Sequence, residues 1–333
     1  MVRTVPNANR VIRSVLAALS GAVMVATVAS GQEKVKFPIG VGTKTLGTGM
    51  YWLANKKGFF DEVGLDVQLV LLRGSTITIQ ALVSESVYFA HGAADTTIAA
   101  AAGGADLLAV GGAVNGLTQA IVAGKKYKGI KDLRGATIGV QGLTSGGANV
   151  LKRVLKQNGL DYPADYKVFA TGGGALSLAA LTSGQIAATY LPMPFDYTAE
   201  QGAFNVIGYF KDYFPNYQLS VLAVKRGWAE KNRALMVRFL KGAVRAYRWI
   251  YANKEAAIDF LAKEIPLNPE LARKGWEYYT ANRIWPANAE VNLEGLKFTM
   301  QVYADQAKGP LPDALKYIDQ SYLQQAIKEL GER

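Results

Sequence analysis

Apolar residues recur along this chain in two rhythms that alternate. Ile39-Gly40-Val41 is a short apolar strand, and Leu65 to Val70 alternates with β-branched residues at the spacing of a strand. Between them, Met50 to Asn55 is apolar and aromatic at helical spacing, with Thr48 as the N-cap and Gly58 as the stop. Further strands are predicted at Val87 to Ala90, Leu107 to Val110, Ile138 to Val140, Tyr166 to Ala170, Ile186 to Tyr190 and Phe204 to Ile207. Most of them end in a loop of small residues. Helical patterns follow at Ile77 to Val83, Ala148 to Gln157 and Ala175 to Thr182, and Asp95 is placed as the N-cap of an Ala-rich helix. Strand, loop, helix, strand is the grammar of a parallel sheet, an α/β class of fold. Ligands of such sheets sit beyond the carboxyl ends of the strands, where helix N-termini offer free N–H groups.

From Trp228 onward the pattern is helical. Leu235, Val237, Phe239, Leu240, Val244, Tyr247 and Ile250 form one apolar face of a long helix. Leu117 to Val122 and Leu219 to Val224 are apolar and extended, and they read as crossings near Thr118–Val122 and Ser220–Val224. No fixed-period repeat is present.

The run from Met50 through Lys57-Gly58-Phe59-Phe60 to Gly64-Leu65-Asp66-Val67 resembles the entry motif of periplasmic substrate-binding proteins of ABC importers. The branch is the nitrate, sulfonate, taurine and thiamine-pyrimidine type. Asp132-Leu133-Arg134-Gly135-Ala136-Thr137-Ile138-Gly139-Val140 is similar to the motif that opens the second lobe in that family. The resemblance implies a two-lobe periplasmic-binding-protein fold of type II, each lobe a mostly parallel sheet with flanking helices. It divides the chain into 1–31 as signal peptide, 32–119 as the first part of lobe one, 120–222 as lobe two and 223–333 as the rest of lobe one. It also implies a ligand-binding protein, not an enzyme, acting as a monomer that docks on a membrane permease with a cytoplasmic ATPase. A sensor subunit and a pyrimidine-synthesising enzyme of the same fold are the alternatives. The enzyme branch uses a cysteine-rich iron motif, and this chain has no Cys and one His.

Composition changes the picture in three ways. Arg3, Arg10 and Arg13 precede the uncharged Ser14 to Ala29, which reads as a signal peptide for export to the periplasm, cut near Ser30 or Gly31. The net charge is +11, but the basic residues are scattered without interleaved aromatics, so no nucleic-acid partner is expected. The positive balance favours anionic ligands at long range. The lone histidine and the absence of Cys argue against a multi-histidine or thiolate metal site, and no cofactor is expected.

The candidate contacts follow from the strand-end loops. Thr43, Lys44 and Thr45 follow the first strand, and Arg73, Gly74 and Ser75 follow the second. His91 and Ala93 lie after the third, and no Gly-X-Ser-X-Gly elbow accompanies the histidine. Thr144, Ser145, Thr171 and Gly172 are the matching loop positions of the second lobe. Asn115, Met193, Phe195 and Asp196 complete the set, with Phe195 stiffened by Pro192 and Pro194 and able to stack on a ring. The ligand expected from this set is a small organic anion, sulfonate- or carboxylate-like. Arg73 is its main charge partner, because a guanidinium grips two oxygens at once.

Overall fold

A computed structural model describes Met1 and residues 33–331, apart from Arg73, Thr144, Pro194, Ala203, Pro266 and residues 308–309. The expected signal peptide, Arg73 and Thr144 lie outside the described residues. The described residues from Lys34 onward form one compact unit. Its elements alternate as the pattern demanded. The first half runs β1 (Val35–Val41), α1 (Gly49–Lys56), β2 (Leu65–Leu71), α2 (Ser75–Val83), β3 (Phe89–Ala93), α3 (Ala94–Ala102) and β4 (Leu107–Asn115). The second group is β5 (Gln119–Ala123), β6 (Thr137–Val140), α4 (Gly146–Gln157), β7 (Lys167–Ala170), α5 (Gly174–Thr182), β8 (Ala188–Pro192), α6 (Phe195–Gln201), β9 (Asn205–Tyr209) and α7 (Phe210–Tyr213). Then come β10 (Gln218–Lys225), α8 (Arg226–Lys231), α9 (Arg233–Ala252), α10 (Lys254–Glu264), α11 (Pro269–Ala281), α12 (Leu293–Ala307) and α13 (Ser321–Leu330).

Two five-stranded sheets result, in the orders β2-β1-β3-β10-β4 and β7-β6-β8-β5-β9. In each, three neighbouring strands are parallel, and one strand (β10 or β5) runs antiparallel to both of its neighbours. This is the two-lobe α/β fold expected. The extended segments that read as crossings are sheet strands: β5 belongs to the second sheet and β10 to the first. The chain crosses between lobes at residues 116–118 and again after α7, where the Gly116 N–H donates to Tyr217 O at 2.6 Å. His91 and Ala93 are strand residues of β3, not loop residues, because β10 extends the ladder to them through the pairs Leu222–His91 and Ser220–Ala93.

The first lobe's core is an aromatic stack. Phe60 lies parallel to Phe239 of α9 at 5.3 Å between ring centres, and Phe37 of β1 stacks on Phe239 at the same spacing. Gly58 turns the chain with a left-handed φ of 73°, which sends Phe59-Phe60 back under α9. Gly242 of α9 leaves room for the Phe60 ring. Arg238 then fixes the approach by donating to the carbonyl of Gly64 at 2.6 Å. So the motif that carries the family resemblance is the seat of α9.

The segment after α11 completes the first lobe along β4. Gly112 donates to Ala289 O at 2.7 Å, and Asn115 donates to Ile284 O at 2.8 Å. Buried Trp285 donates from its indole to Leu46 O at 3.0 Å. A Cβ on Gly112 would collide with the backbone carbonyl of Glu290. Gly112→Ala is therefore expected to destabilise the protein by about 1–3 kcal/mol, the usual cost of overpacking a rigid contact. Urea unfolding followed by tryptophan fluorescence checks it. An unshifted midpoint would mean that the segment yields freely.

Candidate functional site

The segments that follow the parallel strands β1, β2 and β3 of the first sheet and β6, β7 and β8 of the second carry the candidate residues. The loop after β1 is tied to itself. Thr48 donates its hydroxyl to Thr43 O at 2.8 Å and accepts from Thr45 N at 3.0 Å, which closes a short 3-10 turn ahead of α1. Lys44 does not serve as a free cation. Its ammonium pairs with Glu264 of α10 at 3.2 Å and lies over the Trp52 ring at 5.3 Å. Gly74 has a φ of 93°, a left-handed value that lets α2 start directly beside Gly42. The Ser75 hydroxyl then accepts from Ala93 N at 3.2 Å, so these two expected contacts hold each other.

His91 meets Tyr51 of α1 through its Nδ1, 3.0 Å from the phenol oxygen. Burial pushes its imidazole down to about 4. Asp95 is not the cap of α3, whose N-cap is Ala93; it lies in the first turn and is 5 % exposed. Its carboxylate accepts from Thr96 N at 2.6 Å. Burial raises its pKa. It also faces the other lobe: a Cβ on Gly146, the first residue of α4, would lie 2.7 Å from its Oδ2.

In the second lobe, Ser145 caps α4 by accepting from Ala148 N at 3.3 Å and meets the Tyr190 hydroxyl at the same distance. Thr171 donates to Val140 O at 3.0 Å and pairs with Ser177 at 2.5 Å, so its hydroxyl serves the lobe itself. Gly172, with a φ of 96°, turns the chain into α5. The half-buried Phe195 packs towards Gly174. Met193 is buried against the core of the first lobe, and its N–H donates to Thr118 O in the crossing at 3.1 Å. Asp196 follows at 1 % exposure. Its Oδ1 has no hydrogen-bond partner, and burial pushes its pKa up to about 6.

Asn115 stands apart from these loops. Its amide donates to Glu290 O at 3.4 Å, and it lines a pocket of about 450 Å³ beside the crossings, with Tyr217, Lys211, Tyr278 and Arg283. Helix α11 of the first lobe meets α6 and α7 of the second. Lys274 of α11 lies over the Tyr197 ring of α6 at 5.2 Å, and Lys211 of α7 lies over the Tyr278 ring of α11 at 5.0 Å. Sequence reasoning missed Tyr278 and Tyr279. They belong to a helix more than sixty residues beyond the second sheet, and no local pattern links that helix to the cleft. Among the described residues, no cluster of three or more His, Cys, Asp or Glu side chains has the arrangement of a metal site.

Residues 47–257 match the family model described as NMT1/THI5 like. The chain is similar to a formylaminopyrimidine-binding protein of Halalkalibacterium halodurans, with 25% identity over 218 residues. That match covers 63% of this chain and just under two thirds, 64%, of the relative's length. Two solved structures share the fold. The periplasmic nitrate-binding protein NrtA from Synechocystis PCC 6803 superposes with a TM-score of 0.75 at 15% identity, over 90% of each chain. The alkanesulfonate-binding protein SsuA from Xanthomonas axonopodis pv. citri, bound to MOPS, gives 0.68 at 20% identity, over 86% of this chain and 99% of that one.

His91 generates a pH prediction. An imidazole held near 4 in the folded protein and at its ordinary 6.5 in the unfolded chain takes up its proton first in the unfolded chain. Its contribution to stability is complete above about 6.5 and is lost as pH falls towards 4. His91→Gln keeps a polar partner for Tyr51 without titrating. The wild type should therefore lose more of its urea midpoint than this variant between pH 7 and pH 4.5. Parallel losses would remove His91 as the cause.

Proposed function

The chain belongs to the NMT1/THI5-like family, and from that premise we propose that it is the extracytoplasmic solute-binding component of an ABC importer. It takes a small organic molecule between its lobes and presents the closed form to a membrane permease. One observation carries this reading: the first lobe's Asp95 carboxylate abuts the first turn of α4 in the second lobe, with a glycine at the contact. A carboxylate against a helix N-terminus is a favourable pairing that forms only when the lobes close. The two crossings supply the pivot, since rotation at a few backbone positions suffices for closure. The Arg-rich start and the uncharged stretch after it support export to the periplasm, where such proteins work as monomers. The similarity to a pyrimidine-binding relative favours capture over chemistry, as do the single histidine and the absence of cysteine.

The test has two parts. Protein isolated from the periplasm without refolding should carry a small organic molecule, weighed by native mass spectrometry. Adding that molecule back to stripped protein should reduce the radius of gyration in solution scattering. Gly146→Val puts carbon where Asp95 stands, so it should hold the lobes apart and weaken binding at least tenfold, about 1.4 kcal/mol. A variant that closes and binds like the wild type would refute the role given to this contact. Failure to find any bound or binding solute would refute the capture reading.

A further inference from the structure

Helix α12 touches three bodies at once. Its contact residues fall into three stripes, each at the three- or four-residue spacing that lines side chains up along a helix. Gly295 and Thr299 lie against the return crossing. A Cβ on Gly295 would come 2.8 Å from the Tyr217 carbonyl carbon, and Thr299 donates its hydroxyl to Gln218 O at 3.1 Å. Leu296 and Met300 are buried in a cluster with Ala94 and Ile98 of α3 and Val221 of β10, all of the first lobe. Phe298, Val302 and Asp305 face the second lobe. Val302 belongs to that lobe's buried cluster, with Leu151 and Val154 of α4. The Phe298 ring stands 5.5 Å from the ring of Phe214, and Asp305 pairs with Arg153 of α4. The helix thus packs on both α3 and α4, whose starts meet at Asp95 and Gly146.

The stripes differ in how firmly they hold. Thr299 also accepts from Gln218 N at 3.1 Å, so the crossing grips the helix in both directions. The stripe on the first lobe is a fully buried apolar contact. These two fasten α12 to the first lobe. The stripe on the second lobe is looser, with a half-buried ring, one buried valine and an ion pair whose aspartate is exposed. Any turn of the second lobe about the crossings has to carry α4 and Phe214 across this stripe. Close-packed side chains settle into discrete arrangements and do not deform continuously, so the stripe weights one lobe angle over the others. The ring contact carries most of that weight, because an exposed ion pair is screened by water and salt.

We propose that Phe298 is a positioning residue for capture: seated against Phe214, it favours the lobe angle at which Asp95 meets Gly146, and it sets ligand affinity through that angle. This rests on the capture reading above and adds to it the place where the closed form is held. Apparent affinity scales with the population of the form that binds. Loss of the ring contact therefore weakens binding by the factor by which it depopulates the closed form.

The test reads the lobe angle directly and needs no ligand. The chain has no cysteine, so spin labels on Asp66→Cys and Lys167→Cys report a single distance. Both positions are exposed, one on β2 and one on β7, the edge strands of the two sheets. Double electron–electron resonance is recorded on the stripped, labelled protein with and without Phe298→Ala. The variant should lower the ratio of short to long distances at least tenfold. Asp305→Ala, an exposed change, should lower it about two- to fivefold, the range of a surface ion pair, and it decides the matter if Phe298→Ala fails to fold. A merely structural Phe298 would lower the thermal midpoint and leave the distances in place. Unmoved distances, or a shift towards shorter ones, would overturn the assignment. Capture is read separately, from the mass of any solute that co-purifies with the wild type. Solute present with distances unmoved refutes this assignment alone. Solute absent with distances shifted refutes capture and leaves the control of lobe angle standing.

Discussion

Gln218 is wholly buried, and each polar group of its side chain is in use. Its amide donates to Val114 O at 3.1 Å and to Ser220 O at 2.7 Å, and its carbonyl accepts from Asn292 N at 2.7 Å. Its backbone N–H is taken by Thr299 of α12 at 3.1 Å. One residue thus binds β4, β10 and the C-terminal helices at the foot of the return crossing. That matters because β10 lies between β3 and β4, so the first sheet is incomplete until the chain has built the second lobe and returned. Loss of any one bond would leave a buried amide group unpaired, which costs more than the bond itself contributes. Firm anchorage here confines the flexing to the links around it. The long-range pairing that β10 demands also makes this a chain of high contact order, and such chains fold slowly.

The charge that matters at the cleft is local. The chain is basic overall, at +11, and its described basic groups include surface pairs such as Lys254–Glu277 and Arg273–Glu255. Such pairs contribute little and are screened by salt. Inside the cleft the nearest groups set the potential, because the effective dielectric falls with burial. The buried groups described there include Asp95 and Asp196, while Lys44 is engaged by Glu264. A net-charge argument therefore points one way and the buried groups among the described residues point the other. The interior acts over shorter distances with less screening.

Much of the fold was readable because its signals are local. The apolar alternation of Leu65 to Val70 and the apolar face of α9 each reflect one element burying one side. The strand-end loops were legible too, since glycines there mark turns. The roles within those loops were not legible. Ser75 and Thr171 read as hydroxyls free for a ligand, and the structure uses each to hold a neighbouring segment. Nor could β10 be placed, because an apolar run does not say which sheet it joins. Tyr279 was invisible for the same reason: its place against the Trp285 ring comes from the packing of distant elements. The Gly-Phe-Phe motif that betrays the family is informative about ancestry, and its Phe60 belongs to the core under α9.

The start of α4 shows how a glycine-rich loop can mislead. Two glycines open this helix, which reads as a cradle for an anion. Each has a packing reason instead. A Cβ on Gly147 would lie 2.6 Å from the Tyr190 hydroxyl oxygen, and one on Gly146 would strike Asp95. The positive end of the α4 dipole is thus already met by a carboxylate of the protein when the lobes are together. An anionic ligand at that helix would have to displace Asp95, and a buried carboxylate turned away from its partner is costly. Here the protein's own carboxylate stands at the N-terminus of α4.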